Sequence, residues 1–415
     1  MLAIATLTGR LLLRHWPALL AWFLVGVLAR FLVIQLAGFV GAFTAVGGLL
    51  ILPLAVLARL VGFVAMFLVL REAMPRLGAI APSPSEPAAR RRAFVDALLG
   101  GVLPFFAVYA AWGHLRQDVA AYQARALEVR DSMRWSALLG EPVTLSDGAV
   151  DDLRLEPITI AIVVVAFAGR WAWKRYRDRM PKALSVGAVY LEAVWVFLAV
   201  ALVSQALAAV TGWVETRQAM VWLDDARGWI AQWLVPVAWV GEAVEWLLGE
   251  AGGILLLPVA WLTIAGVVYG QAVAPQAPAL AGERIERVRS RYAALPERVR
   301  RRARDLWGEL VGRFRPIGQA LLLMWRAGPA LIGVYVLLYT VVLALQGFGE
   351  YGLTRIIGPQ DLYGFWFVFD AALVTAVTAV VEPIRVSLVA SAYDATLAAL
   401  PPVSTPRRSS KSVSD

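Results

Sequence analysis

The nonapeptide GGLLILPLA at residues 47–55 returns as GGILLLPVA at residues 252–260, with six of nine positions identical. Each copy opens an apolar run of about 20 residues, the length that an α-helix needs to cross a bilayer. A proline lies about one turn inside each run, where neighbouring helices can satisfy the carbonyl that it frees. The phrase therefore predicts two membrane-spanning helices, each with a proline near one end.

The composition of the whole chain agrees with this interpretation. Of its 415 residues 60% are hydrophobic, and the mean hydropathy is +0.67. Charged residues make up 17%, whereas soluble proteins carry about 25%. The apolar runs do not alternate with polar residues, as the strands of an outer-membrane barrel do. We therefore predict an all-α, polytopic helical membrane protein.

Eight apolar runs are predicted to span the membrane, and the loops between them alternate in charge. The spans are 16–37, 47–70, 94–112, 157–173, 184–210, 252–273, 317–345 and 363–384. Arginines follow every second span, whereas acids outnumber arginines in segments 113–156 and 213–250. Basic loops stay in the cytoplasm, so we expect four in–out hairpins with both termini cytoplasmic.

The hairpins divide the chain into segments. These are an N-terminal hairpin (1–77), a cytoplasmic linker (78–93), a second hairpin (94–182), a third hairpin (183–274), cytoplasmic basic amphipathic helices (275–316), a C-terminal hairpin (317–400) and a disordered tail (401–415). The second hairpin carries an external helical insertion at 113–156. The third carries a Trp-rich insertion at 213–250, and indole rings prefer the membrane interface. Together the insertions are expected to form an external helical cap.

The repeated phrase leaves two interpretations open. It can mark a hairpin that was duplicated in parallel, as in some transporters. It can also be coincidence, because the spans draw on few residue types. A second, shorter repeat fits either explanation: Pro17-Ala18 in span one recurs as Pro329-Ala330 in span seven.

Basic residues indicate the partners. The net charge is +9, and segment 283–315 holds eleven arginines beside a helical repeat of apolar residues. This pattern predicts helices that lie on anionic lipid of the inner leaflet. We expect no nucleic acid, because no nucleic-acid-binding motif accompanies the charge. The bilayer and other membrane proteins are the expected partners, and residue usage is typical of a bacterial cell-membrane protein.

The chain lacks the residues of several kinds of chemistry. It has no cysteine, and its two histidines, His15 and His114, are far apart in sequence, so we expect no thiolate or imidazole metal centre and no cofactor. We predict no catalytic residue and consider an enzyme less favoured. The acidic pairs at 151–152 and 224–225 alone keep open a membrane-embedded transferase acting at the outer face.

Ionisable residues within the spans are the candidate functional sites, because burying charge in a bilayer is costly. Arg30, Arg59, Glu192 and Asp370 are the four that stand out. Small residues beside the two arginines on their helix faces predict that they face protein. Position along each span predicts the ion pairs Arg30–Asp370 and Arg59–Glu192, since arginine can bind a carboxylate with two hydrogen bonds.

The last span adds a polar stripe to this candidate network. Thr375, Thr378 and Glu382 lie on one helix face with Arg385. The stripe can line a water-filled path, or it can make hydrogen bonds between helices with a local Glu–Arg contact.

Three classes of function remain open. We expect a non-catalytic scaffold or envelope-complex subunit, with a transporter or channel as the alternative and the transferase third. A closed network of ion pairs favours the scaffold, a hydrated cavity favours transport, and a groove beside residues 151–152 favours chemistry.

Overall fold

The protein is described here from a computed structural model covering residues 2–140, 157–176, 185–218, 252–273 and 327–399, with residues 220, 222 and 249. Every element in these ranges is a helix, which confirms the all-α class. Six helical segments are long and apolar enough to cross a membrane: Leu2–Phe43, Ala45–Arg71, Pro87–Ala111, Gly187–Glu215, Pro329–Ile357 and Leu362–Thr396. A shorter apolar helix covers Ile254–Gly270. These segments give the protein its multi-pass membrane character.

The elements follow one another along the chain. They are α1 (Leu2–Phe43), α2 (Ala45–Ile51), α3 (Pro53–Arg71), α4 (Pro75–Ile80), α5 (Pro87–Ala111), α6 (His114–Leu138), α7 (Pro157–Tyr176), α8 (Ser185–Glu215), α9 (Leu257–Val273), α10 (Pro329–Ile357) and α11 (Phe367–Thr396). One π-helical turn, Gly252–Leu256, leads into α9, and another, Leu362–Trp366, leads into α11. A 3₁₀ turn, Leu397–Ala399, closes the described chain.

Both copies of the repeated phrase interrupt the α-helix just before their proline. In the first, α2 ends at Ile51 and α3 begins at Pro53, whose missing N–H costs no hydrogen bond at a helix start. In the second, a π-helical turn ends at Leu256 and α9 begins one residue before Pro258. Each copy thus ends a short helical segment, α-helical in the first copy and π-helical in the second, at the start of a long apolar helix.

The helices that follow the two junctions run in the same direction. The ring of Phe63 lies 4.8 Å from that of Trp261, and the ring of Phe67 lies 5.8 Å from that of Tyr269. The Tyr269 hydroxyl also donates to the Phe67 carbonyl at 2.8 Å. Because residue numbers rise together along both helices, α3 and α9 are parallel.

Helix α3 lies at the centre of the described bundle and packs against α1, α5, α8, α9 and α11. It approaches α1 most closely where Gly26 faces Gly62. A Cβ added at Gly62 would lie 3.2 Å from the carbonyl oxygen of Trp22. These glycines are the small residues beside Arg30 and Arg59, so both arginines lie on helix faces that meet protein.

Helix α6 is the helix predicted for the start of segment 113–156, and it packs along α1. Its buried residues include Leu115, Tyr122 and Val129, which the helical repeat predicts. The ring of Tyr122 fills the space beside Gly41, where an added Cβ would lie 2.5 Å from a ring carbon. Glycine at this position allows the two helices to pack.

A contact between segments that are distant in sequence joins the end of α11 to α4. Asp394 of α11 is fully buried, and its Oδ1 accepts hydrogen bonds from the backbone N–H groups of Arg76 and Leu77 at 3.0 and 2.9 Å. These are N–H groups of the first turn of α4, which have no partner within their own helix. Asp394 therefore caps α4 from across the bundle.

Several predicted segments lie outside the described residues. They are the distal part of the 113–156 insertion, most of the Trp-rich insertion, the basic segment 275–316 and the tail 401–415.

The predicted linker 78–93 is partly helical. Helix α5 begins at Pro87, so the end of the linker belongs to a helix. Its start belongs to α4, which ends at Ile80.

Candidate functional site

A buried carboxylate joins three helices at the junction of α5 and α6. Asp118 of α6 is 0% exposed. Its Oδ1 accepts a hydrogen bond from Nε of Arg30 on α1 at 2.9 Å and a second, shorter one from Nη2 of the same guanidinium. Its Oδ2 accepts a hydrogen bond from the Tyr109 hydroxyl of α5 at 2.7 Å. Both carboxylate oxygens are therefore used.

The local sequence explains why Asp118 points inward. Between the end of α5 at Ala111 and the start of α6 lies a left-handed residue, Gly113 with φ of 76°, a conformation that glycine adopts without steric cost. The chain turns there, and α6 begins at His114. Asp118 falls between Leu115 and Tyr122 on the buried face of α6, so the carboxylate is buried with these apolar neighbours.

A second ion pair lies within α11. Arg385 donates from Nε to Oε2 of Glu382 at 3.0 Å, and its Nη2 makes a second, shorter bond to Oε1. The Glu382 side chain is 3% exposed and the Arg385 side chain 12%. The guanidinium of Arg385 also lies over the ring of Trp261, 5.0 Å from its centroid. This is the local Glu–Arg contact that the sequence allowed.

A small cavity of about 50 Å³ lies between these two ion pairs. Its walls combine three basic side chains with aromatic rings and aliphatic residues. They are Arg59, His114, Arg385, Tyr109, Phe63, Phe105, Trp112, Trp261, Val108 and Leu257. Since Tyr109 also binds Asp118, the cavity and the Asp118 cluster form one continuous polar region, which we call the arginine cluster.

Positive charge exceeds negative charge in the arginine cluster. Arg30 is matched by Asp118, and Arg385 by Glu382. Arg59 lies over the ring of Tyr109, 5.7 Å from its centroid. In the described ranges no carboxylate lies within ion-pair distance of Arg59, so its charge is the one left unmatched in the cluster.

The pKa of His114 depends first on its burial and then on this surplus of positive charge. Burial lowers the pKa of His114 below 6.5, and the positive charges of Arg59 and Arg385 lower it further, against the raising effects of Gln117 and Asp118. Its Nδ1 lies 3.2 Å from Oε1 of Gln117. The imidazole is therefore neutral at pH 7 and adds no charge to the cavity.

Both predicted ion pairs are wrong. Arg30 binds Asp118 instead of Asp370, and Asp370 is exposed near the start of α11. No ion pair joins Arg59 to Glu192 in the part of the chain that the structure describes. Glu192 is 2% exposed in α8 and does not line the cavity. Position along a span therefore did not identify the partners.

The polar stripe on the last span bonds largely to its own helix. The Thr375 hydroxyl donates to the Ala371 carbonyl at 2.6 Å, and the Thr378 hydroxyl to the Val374 carbonyl at 2.8 Å. Neither hydroxyl lines the cavity. Of the stripe, only Arg385 contributes to the cavity wall.

Two members of the cluster were missed as site residues because they lie near the predicted edge of the membrane. Asp118 lies in a segment assigned to the outer loop, and Tyr109 near the end of span three. A signal did exist for Asp118, since it lies at helical spacing from Leu115 and Tyr122 on an apolar face. Within the described ranges, His, Asp and Glu form no group of three that could hold a metal ion.

Comparisons of the chain with protein-family models, curated proteins and solved structures find no match. The arginine cluster and the helices around it are therefore the features from which a function can be inferred.

Proposed function

We propose that the protein is a non-catalytic scaffold or envelope-complex subunit of a bacterial cell membrane. The observation that carries the proposal is the hydrogen bonding of Asp118. Both of its carboxylate oxygens accept hydrogen bonds, and these bonds join α1, α5 and α6. A buried pair of this kind is strongly destabilising to break, because the remaining charge stays buried. Such a junction holds helices in one arrangement.

The polar residues of α11 support the same proposal over a transporter. A solute path needs polar groups that are free to face water, whereas Thr375 and Thr378 donate to carbonyls of their own helix. Glu382 is bound to Arg385 on the same helix. The cavity is also small, and neither Glu192 nor Asp370 lines it.

The arrangement in the membrane forms part of the proposal. The protein has eight spans in four in–out hairpins, with both termini in the cytoplasm and the two insertions forming an external cap. Segment 283–315 binds anionic lipid of the inner leaflet through its arginines. Asp394 supports the sidedness, because it places the end of α11 beside α4, two segments that the loop charges assign to the same side.

Reconstitution tests the scaffold against the transporter. Purified protein in liposomes should give no flux of small ions or solutes above that of protein-free liposomes. Protein extracted from native membranes under mild conditions should migrate with a stoichiometric partner. Flux that depends on Arg59 or Arg385 would contradict the scaffold and establish the transporter alternative.

A transferase is the remaining alternative, and its candidate acids at 151–152 and 224–225 lie outside the described residues. If chemistry occurs at the outer face, replacing those acids with asparagine should abolish function in cells while leaving the amount of protein unchanged. Loss of function only together with loss of protein would instead favour the scaffold.

A further inference from the structure

Arg59 has an unusual environment for an arginine in an apolar helix. It lies within the candidate span Ala45–Arg71, where an unpaired charge is costly. In the described ranges its guanidinium lies over the ring of Tyr109, 5.7 Å from the centroid. A cation–π contact compensates only part of the cost of burying a charge in a span.

The cavity beside Arg59 has room for a further group. Its volume of about 50 Å³ is several times the roughly 10–15 Å³ that one water requires. Aromatic rings form much of the wall, and a dielectric constant below that of water strengthens electrostatic interactions within the cavity. The cavity therefore combines space with an unmatched positive charge.

Two other basic side chains of the wall lie beside Arg59, of which His114 is neutral at pH 7 and adds no charge. Arg385 comes from α11 and His114 from α6, so the cavity receives basic side chains from three helices. Glu382 already neutralises Arg385 through two hydrogen bonds. One bound negative charge would therefore neutralise the net positive charge of the cavity.

We propose that this cavity binds a small monovalent anion of the chloride or short-carboxylate class, held between Arg59, Arg385 and His114. Guanidinium groups provide several N–H donors in a planar fork, which suits a halide or a carboxylate. The volume excludes a polyhydroxy carboxylate such as gluconate. The site is independent of the scaffold proposal, since a bound anion can stabilise a rigid protein.

The test is the thermal stability of the full-length protein in detergent at constant ionic strength. Chloride or formate replaces gluconate as the anion. A ligand that binds only the folded state stabilises it in proportion to ln(1 + [L]/Kd). The Tm should therefore rise by equal increments for each tenfold increase in chloride above Kd, and formate should act likewise.

Matched arginine variants separate the site from general salt effects. Arg59→Gln should abolish the dependence on chloride. Arg134→Gln should retain it, because Arg134 is a surface residue with a 61% exposed side chain that pairs with Asp131 on the same helix. The proposal would be overturned if the Tm of the wild type did not depend on the identity of the anion. It would also be overturned if Arg59→Gln kept the full dependence on chloride.

A second variant covers the case in which Arg59→Gln does not fold. Val108 lines the cavity, so Val108→Phe fills space while leaving all the charges in place. Radioactive chloride should bind the wild-type protein at one saturable site and should not bind Val108→Phe. Chloride bound equally by both proteins would place the ion elsewhere and contradict the assignment.

Discussion

Asp118 carries the strongest prediction at the scale of single residues. Asp118→Ala removes the acceptor of Arg30 and Tyr109 and leaves a charge in a largely buried position. Breaking a buried pair costs about 3–5 kcal/mol, and in a membrane protein the loss can be smaller because the unfolded chain finds other partners. We expect Asp118→Ala to lower the Tm in detergent clearly.

A double-mutant cycle identifies the pair as the cause. Arg30→Leu combined with Asp118→Leu should be less destabilising than the sum of the two single changes. Asp131→Asn is the control, since its pair with Arg134 is 61% exposed on both sides and surface pairs contribute about 0–1 kcal/mol. Additive losses at Arg30 and Asp118 would show that the two residues do not act together.

His114 gives a prediction for pH. Its folded-state pKa is lowered, chiefly by burial and then by Arg59, with Arg385 contributing less. The folded protein therefore binds fewer protons than the unfolded chain below about pH 6.5, and stability falls as the pH drops through that value. The Tm of the wild type minus that of His114→Gln should be constant above pH 7. It should decrease towards pH 5, because only the wild type is destabilised by protonation at this position. A difference that does not change with pH would contradict the lowered pKa.

The sequence identified Arg30 and Arg59 as charges that need a partner, together with Glu192 and Asp370, and it also allowed the contact of Glu382 with Arg385. It did not identify Asp118 as the partner of Arg30. Depth was counted along each span, whereas the true partner lies on a helix that was assigned to the external loop. Which helices are neighbours depends on packing between segments far apart in sequence, and a hydropathy pattern carries no information on that.

At the scale of elements, two glycines of α1 form a matched pair for testing the contact with α6. Gly41→Ala places a Cβ 2.5 Å from a ring carbon of Tyr122, so the helices must move apart or the ring must shift. Gly9→Ala meets nothing within 4 Å, and alanine is favoured over glycine in a helix by about 1 kcal/mol. We expect Gly41→Ala to lower the Tm and Gly9→Ala to leave it unchanged or raise it. Equal effects of the two substitutions would show that α6 does not pack against α1 in this way.

The long apolar helices were predictable from sequence, because each carries a run of bilayer length. Residues 185–210 of the predicted run 184–210, for example, lie within α8 (Ser185–Glu215). The sequence did not predict which local structure the backbone adopts just before Pro53 and Pro258. The phrase is nearly the same in both copies, yet the first forms the α-helix α2 with a break at Leu52 and the second forms a π-helical turn.

At the scale of the whole molecule, the loop charges predict which segments face which side of the membrane. Cysteines introduced at Ser136 and Gln218 should react with an impermeant thiol reagent in whole cells, and a cysteine at Ser290 should not. The wild-type chain has no cysteine, so it provides an unlabelled background. Labelling of Ser290→Cys in intact cells would reverse the proposed topology.

The contact between Arg30 and Asp118 also sets an order of events during synthesis. The two residues are separated by 88 positions, so the ribosome completes α1 well before it makes α6. The charge of Arg30 must enter the bilayer without its counterion, at about 2.5–3.5 kcal/mol for a helix centre on the insertion scale. The apolar residues of α1 offset that cost while the chain grows, and Asp118 neutralises Arg30 only after α5 has been inserted. A chain that stalls between these helices would therefore be inserted while Arg30 still lacks the carboxylate that neutralises it.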